Sequence, residues 1–285
     1  MLDPIRFESE LLDGHLARVR TEHPIGHFRL RAVDDLIGGI HRGRLTILSA
    51  EPAMAKTTLF GQLADEAAQS GFISVVATLE IAAHQWIVKS LARMSNGELS
   101  VSEISDESKA GQVAMVAERY RNTIAPNIIF LEKAMNPVTL SATLSAWERE
   151  TDKPIILFHD YLQILPSASE QACIDERLAV KEAVAGLRRI SNVHDMPVFA
   201  ISSINRTNYG KSLPDLGALG GAAAIEYSAD SVLHLSVEGK GDERIENMER
   251  AVRPMVLTTL KNRYAPKATA KLSFDAAHAT FTERL

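Results

Sequence analysis

The sequence predicts an α/β fold: a mostly parallel central sheet with helices on both faces and an antiparallel extension at the carboxyl end. Three observations predict it. Short apolar runs alternate with helical stretches between residues 45 and 202, the pattern of right-handed βαβ units around a buried parallel sheet. After residue 230 the helical pattern stops, and strand-like runs follow one another through turns. A lysine–threonine pair, Lys56 and Thr57, opens a helix one short loop after the first apolar run.

Taken in order, residues 8–20 place Leu11, Leu12, Leu16 and Val19 on one helical face, and Pro24 and Gly26 interrupt it. Residues 1–27 are therefore expected to form a separate amphipathic helix, packed either on its own domain or on a neighbouring subunit. Residues 28–285 form the main domain. Within it 45–49 reads as a strand, 56–69 as a helix, 72–78 as a strand and 82–94 as a helix. Residues 127–131 read as a strand, 138–150 as a helix, 155–158 as a strand, 175–193 as a long helix and 198–202 as a strand. Residues 205–224, rich in Gly, Ala and Ser, exceed an ordinary connection, and such loops are usually functional or disordered. Residues 232–237, 255–260, 271–274 and 280–282 read as strands, the last two bracketing 275–279 as a hairpin. The charged stretch 239–250 is expected to be a mobile loop. No repeat recurs at a fixed period.

Composition narrows the class. The 285 residues are 46% hydrophobic, enough for one substantial core. No apolar stretch reaches the roughly 18 residues of a membrane span, and the acidic start lacks a signal core. Cys173 is the single cysteine, which excludes a disulfide framework and paired-cysteine zinc sites and fits a reducing cytoplasm. The formal net charge of −5 argues against a broad basic face for nucleic acid. Any DNA contact must use a local basic strip, backbone amides, or a ring that surrounds the strand.

Ala50, Glu51, Pro52, Ala53, Met54, Ala55, Lys56, Thr57 and Thr58 lie between a strand and a helix, the context a phosphate-binding loop requires. There backbone N–H groups and the helix N-terminus hold phosphates, Lys56 neutralises their charge, and Thr57 offers a hydroxyl to Mg²⁺. Both glycines of the usual pattern are missing, so a chance lysine at a helix start is the competing reading. Asp160, at the end of a strand, would face the ligand crevice and hold Mg²⁺. Glu80 follows another strand; it either polarises an attacking water or favours the dipole of the following helix.

Several segments together resemble the motor domain of DnaB-type replicative helicases, in that family's order. Leu36-Ile37-Gly38-Gly39-Ile40 resembles the segment before its first strand, and Ala50 to Thr58 its Walker A loop. Thr78-Leu79-Glu80-Ile81 resembles SLEM, and Asp160-Tyr161-Leu162-Gln163-Ile164 resembles DYLQLM. Residues 200–206 are similar to ALSQLNR, residues 224–230 to the end of the second DNA loop, and Lys261-Asn262-Arg263 to KQR. DYLQI disfavours the recombinase and clock-type relatives. The resemblance implies a RecA-like P-loop ATPase using ATP and Mg²⁺, with Glu80 as catalytic glutamate. It implies a homo-oligomer, a hexameric ring on single-stranded DNA, with primase or a loader as further partners. Lys261 and Arg263 of one subunit would complete the ATP site of the next. The chain opens about 27 residues before the motor, so the family's primase-interacting domain is expected to be absent.

Four departures bear on activity. Ala55 replaces the glycine before the lysine, where a methyl group crowds the phosphate and disfavours positive φ. Ser203 replaces a glutamine that senses the γ-phosphate. Gly220 and Gly221 replace an arginine and a glutamate of the DNA loop, leaving Arg206, Lys211 and the backbone amides at Gly220, Gly221 and Ala223 to meet DNA phosphates. His159 precedes Asp160 and is expected to be buried and hydrogen-bonded. An active translocase and a nucleotide-binding scaffold or regulator both remain open.

Overall fold

The computed structural model describes residues 12, 16, 23–160, 162, 176–204, 216–219 and 222–284. Among these, the strands are β1 (Leu45–Ala50), β2 (Ile73–Thr78), β3 (Ile128–Leu131), β4 (Ile155–Asp160), β5 (Val198–Ser203), β6 (Ser231–Val237), β7 (Val252–Asn262), β8 (Thr269–Asp275) and β9 (Thr280–Glu283). They form one sheet in the order β3-β2-β4-β5-β1-β6-β7-β8-β9. Pairing from β3 through to β6 is parallel, and β7, β8 and β9 add an antiparallel meander. The helices are α1 (Arg31–Ile37), α2 (Lys56–Gln69), α3 (Ala83–Met94), α4 (Ala110–Thr123), α5 (Pro137–Glu148), α6 (Glu176–Val193), α7 (Ala222–Ser228) and α8 (Gly241–Glu249).

Alternation along the strands divides the core. Ile156 and Phe158 of β4 join Phe199 and Ile201 of β5 on the face covered by α1 and α2. Their neighbours Ile155, Leu157, Val198 and Ala200 face α5 and α6. Burial on both faces explains why these strands read as near-continuous apolar runs. Phe60 of α2 meets Phe158 edge-on, with centroids 5.2 Å apart, and Phe158 stacks on Phe199 at 5.4 Å. This aromatic column pins α2 to the sheet and so holds its first residues over the carboxyl end of β1. Gly61 lets α3 approach: a Cβ there would lie 3.0 Å from the Trp86 ring.

Two expectations are corrected. Helices do not stop after residue 230, and 239–250 is not simply a loop, because α8 spans Gly241–Glu249. Its composition hid it: five of its nine residues are charged, and Ile245 is exposed while Met248 reaches the core. Asp242 and Glu243 in its first turn favour the helix dipole. The stretch 95–126, given no element from sequence, carries α4, which closes a satellite core with Leu91, Leu99, Val116, Tyr120 and Ile124. Of residues 1–22, only Leu12 and Leu16 are described; both are helical and exposed. Gly26 bridges to Ile40, and Phe28 enters the core.

Candidate active site

The loop after β1 starts from a buried strand end, where Ala50 lies between Ser203 of β5 and Leu235 of β6. The chain then turns, with Met54 N–H donating to the Glu51 carbonyl at 3.4 Å, and the Met54 side chain anchors in the core. Ala53 and Ala55 both take left-handed conformations, φ 63° and 57°, and α2 begins at Lys56. An L-residue in that region costs about 1–2 kcal/mol. Ala55 therefore adopts the positive φ that its methyl disfavours. The turn delivers the chain into the first turn of α2, whose N–H groups have no acceptor inside the helix and favour an anion.

Asp160 ends β4, in register with Thr78 of β2. It is fully buried, and neither carboxylate oxygen has a hydrogen-bond partner among the described residues. Burial pushes its carboxyl up to about 6; Glu80 pushes the same way, while Thr57, Lys56 and Lys89 pull it down. The Thr57 hydroxyl acts on it without completing a hydrogen bond. A buried carboxylate lacking a partner, beside a hydroxyl, suits Mg²⁺, which takes one or two protein oxygens and completes its shell with phosphate and water. No group of three or more acidic, His or Cys side chains able to hold a metal ion occurs among the described residues, and a site of this kind needs none.

Glu80 stands two residues past β2 and is exposed. Its bend is pinned on both sides. Leu79 N–H donates to the Asp160 carbonyl at 3.2 Å. The Thr78 hydroxyl donates to the Ile81 carbonyl and accepts from Trp86 Nε1. The acid at the start of α3 is Glu132, which accepts from Ala83 N–H at 2.8 Å; Glu80 lies outside that first turn. Lys89 of α3 feels both Asp160 and Glu80, and burial lowers its ammonium from the usual value. Sequence reasoning missed Lys89; its one signal was helical spacing from the buried Trp86.

Ser203, beside Ala50, is the last residue of β5. His159 is buried, and burial pushes its imidazole down to about 4. Neither ring nitrogen has a hydrogen-bond partner among the described residues, which corrects the expectation of a hydrogen-bonded histidine. Arg206, Lys211, Gly220 and Gly221 lie outside the described residues, as do Tyr161, Gln163 and Ile164; Ala223 is exposed on α7.

Lys261 and Arg263 are not near this loop. Leu235, level with Ala50, pairs with Leu257, whereas Lys261 pairs with Val232. Four further residues of β7 carry the chain about 13 Å toward the opposite end of the sheet, at roughly 3.3 Å per residue. There Lys261 Nζ donates to the carbonyls of Glu226 and Ala229, and Arg263 Nη2 to that of Tyr227, capping the end of α7. Arg263 Nη1 also reaches Asp230, 3.4 Å away. Asp230 is buried and further satisfied by Arg188 and by Leu45 N–H. A cavity of about 470 Å³ opens near the far end of α2. Its acids Asp65 and Glu66 are engaged by Arg93 and by backbone N–H groups of Arg29 and Leu30, a network internal to the fold.

Fold and loop define the class, a RecA-like P-loop ATPase fold. Solved structures share it: one, titled as an ATPase domain, superposes with a TM-score of 0.83 at 18% identity, covering 99% of this chain and 100% of that one. A second, titled as a DnaB-like replicative helicase and its interactions with primase, gives 0.80 at 18% identity, covering 99% of this chain and 68% of that one. The chain matches the family described as DnaB-like helicase C terminal domain over residues 27–283, and it belongs to that family. The replicative DNA helicase DnaB of Pasteurella multocida (strain Pm70) is 25% identical over 258 residues, 88% of this chain and 53% of the relative. That of Treponema pallidum (strain Nichols) is 26% identical over 261 residues, 88% and 54%. The chain spans about half the length of these curated relatives.

Proposed function

We propose that this chain is an ATP-driven translocase on single-stranded DNA, working as a helicase motor in DNA replication. One observation carries the reading: Lys56 and Thr57, Asp160 and Glu80 converge at the carboxyl ends of β1, β4 and β2, around a loop of left-handed alanines. In this reading the loop amides and Lys56 bind the triphosphate of ATP. Thr57 and Asp160 would hold Mg²⁺, which when bound would supply charge neutralisation on the triphosphate. Glu80, exposed on a pinned bend, orients the attacking water.

Lys261 and Arg263 serve the site of a neighbouring copy in a ring, the hexamer of the family. Their place at the opposite end of the sheet from their own loop supports a role between subunits. An arginine so delivered contributes about 10³–10⁵ in rate. Residues 1–27 form the linker that docks on the neighbour. Residues 205–223, with Arg206 and Lys211, meet the DNA, and primase or a loader is a further partner.

The test is ATP hydrolysis by the full chain with and without single-stranded DNA. Stimulation by DNA, loss of turnover in Lys56→Ala, and ATP binding without turnover in Glu80→Gln are expected. Tight ATP binding that DNA leaves unchanged would instead select a nucleotide-binding scaffold. An unaltered rate in Glu80→Gln would remove Glu80 from its role.

A further inference from the structure

The loop that faces the phosphates carries an acid of its own. Glu51 follows β1 directly, within the loop whose amides would draw an anion. Among the described residues it meets Arg244 of α8, with Nη2 2.8 Å from Oε2 and side-chain exposures of 12% and 13%. The pair spans 193 residues of sequence. It continues a polar layer beneath the loop. Ser49 hydrogen-bonds the Leu233 carbonyl and His234 Nδ1, at 3.0 and 3.1 Å. Burial holds the His234 imidazole neutral, near 4, with Glu51 and Arg244 acting on it in opposite directions. The rest of α8 is lightly attached: Asn247 bonds the Glu238 carbonyl at 3.0 Å, and Ile245 is exposed.

We propose that Arg244 is a positioning residue of the nucleotide site: it neutralises the acid built into the phosphate loop and straps α8 to that loop. The proposal rests on the reading that residues 50–57 hold a triphosphate. Without Arg244, Glu51 presents a partly buried negative charge to an incoming polyanion, and the charge is weakly screened there. The ion pair that ties the loop to α8 is lost with Arg244. Substrate binding suffers first, and the Lys56, Asp160 and Glu80 side chains keep their places.

The experiment is a double-mutant cycle on the full chain, with ATP affinity measured by calorimetric titration in Mg²⁺ and KM and kcat measured by hydrolysis. Arg244→Ala should weaken ATP binding about tenfold or more and raise KM by a larger factor than it lowers kcat. Glu51→Gln alone should tighten binding. The double variant Glu51→Gln/Arg244→Ala should bind within about threefold of wild type, and Arg244→Lys should keep most of the affinity. The proposal is overturned if Arg244→Ala binds like wild type, or if the double variant stays as weak as Arg244→Ala, the sign of a merely structural role for α8. A wild-type chain that binds no ATP sinks the functional reading and the proposal together. Binding lost in Lys56→Ala but unchanged in Arg244→Ala sinks the proposal alone.

Discussion

The two ends of the sheet treat charge in opposite ways. At the carboxyl end of β4, Asp160 is buried with no hydrogen-bond partner among the described residues and a raised pKa, Glu80 is exposed, and the backbone at Ala53 and Ala55 is strained. At the other end, Asp230 is equally buried yet met by Arg188, Arg263 and Leu45 N–H, and Lys261 and Arg263 cap α7. One end is incomplete without something the described chain does not supply. The other is self-sufficient and must exchange its own partners before it can act elsewhere. A buried group that lacks a partner is costly, so the incomplete end is where a ligand returns the largest free energy.

The sharpest way to break this comparison is at Arg263. Arg263→Ala should lower ATP turnover about 10³-fold while circular dichroism stays unchanged, since Asp230 keeps Arg188. Mixing Arg263→Ala with Lys56→Ala subunits should recover part of the activity, because one site then keeps both parts; no recovery would mean the sites are not shared. Next in size is Asp230→Ala, which strands two arginines and the Leu45 amide. Urea unfolding should register a loss of about 3–5 kcal/mol.

Asp160→Asn should have the opposite sign. Its folded pKa, about 6, lies above the ordinary 3.8, so its stabilising share is full below about 3.8 and lost as pH rises through about 6. At pH 7.5 in EDTA the Asn variant should therefore be more stable than wild type, by about 1–2 kcal/mol, with the difference gone near pH 4. His159 runs the other way: its folded value, about 4, lies below 6.5, so its share is full above 6.5 and lost as pH falls toward 4. A wild-type chain more stable than Asp160→Asn at pH 7.5 without metal would contradict the picture of an unsatisfied acid.

The smallest effects separate strain from crowding. Ala53→Gly and Ala55→Gly should each raise stability by about 1 kcal/mol in thermal unfolding, by relieving positive φ. Only Ala55→Gly, next to Lys56, should also raise turnover. Equal turnover in all three proteins would clear the Ala55 methyl of any effect on phosphate.

Much of the fold was legible because the parallel strands are buried on both faces and read as apolar runs. The helix Lys56–Gln69 has the predicted bounds, and the family suggested by the Asp160 run and Lys261-Asn262-Arg263 is the one to which the chain belongs. The misses have a common cause. The helix Gly241–Glu249 is short and mostly charged, and it touches the core through few residues, so it reads as a surface loop. The helix Ala110–Thr123 buries only Val116 and Tyr120. Lys89 left no motif, because a lysine on a helix matters only once the fold supplies Asp160 and Glu80 beside it.

The sequence by itself determined the nine described strands and the helices that cover both sheet faces (Lys56–Gln69, Pro137–Glu148 and Glu176–Val193), the loop between residues 50 and 57 and the acid at the end of β4, because each is written in short-range periodicity and in residue types next to one another along the chain. Only the tertiary structure decided that Arg244 meets Glu51, that Asp160 lacks a partner among the described residues while Asp230 has several, and that Lys261 and Arg263 lie away from their own loop. Those outcomes depend on which strands become neighbours and in which register, and local sequence does not encode contacts made across a sheet.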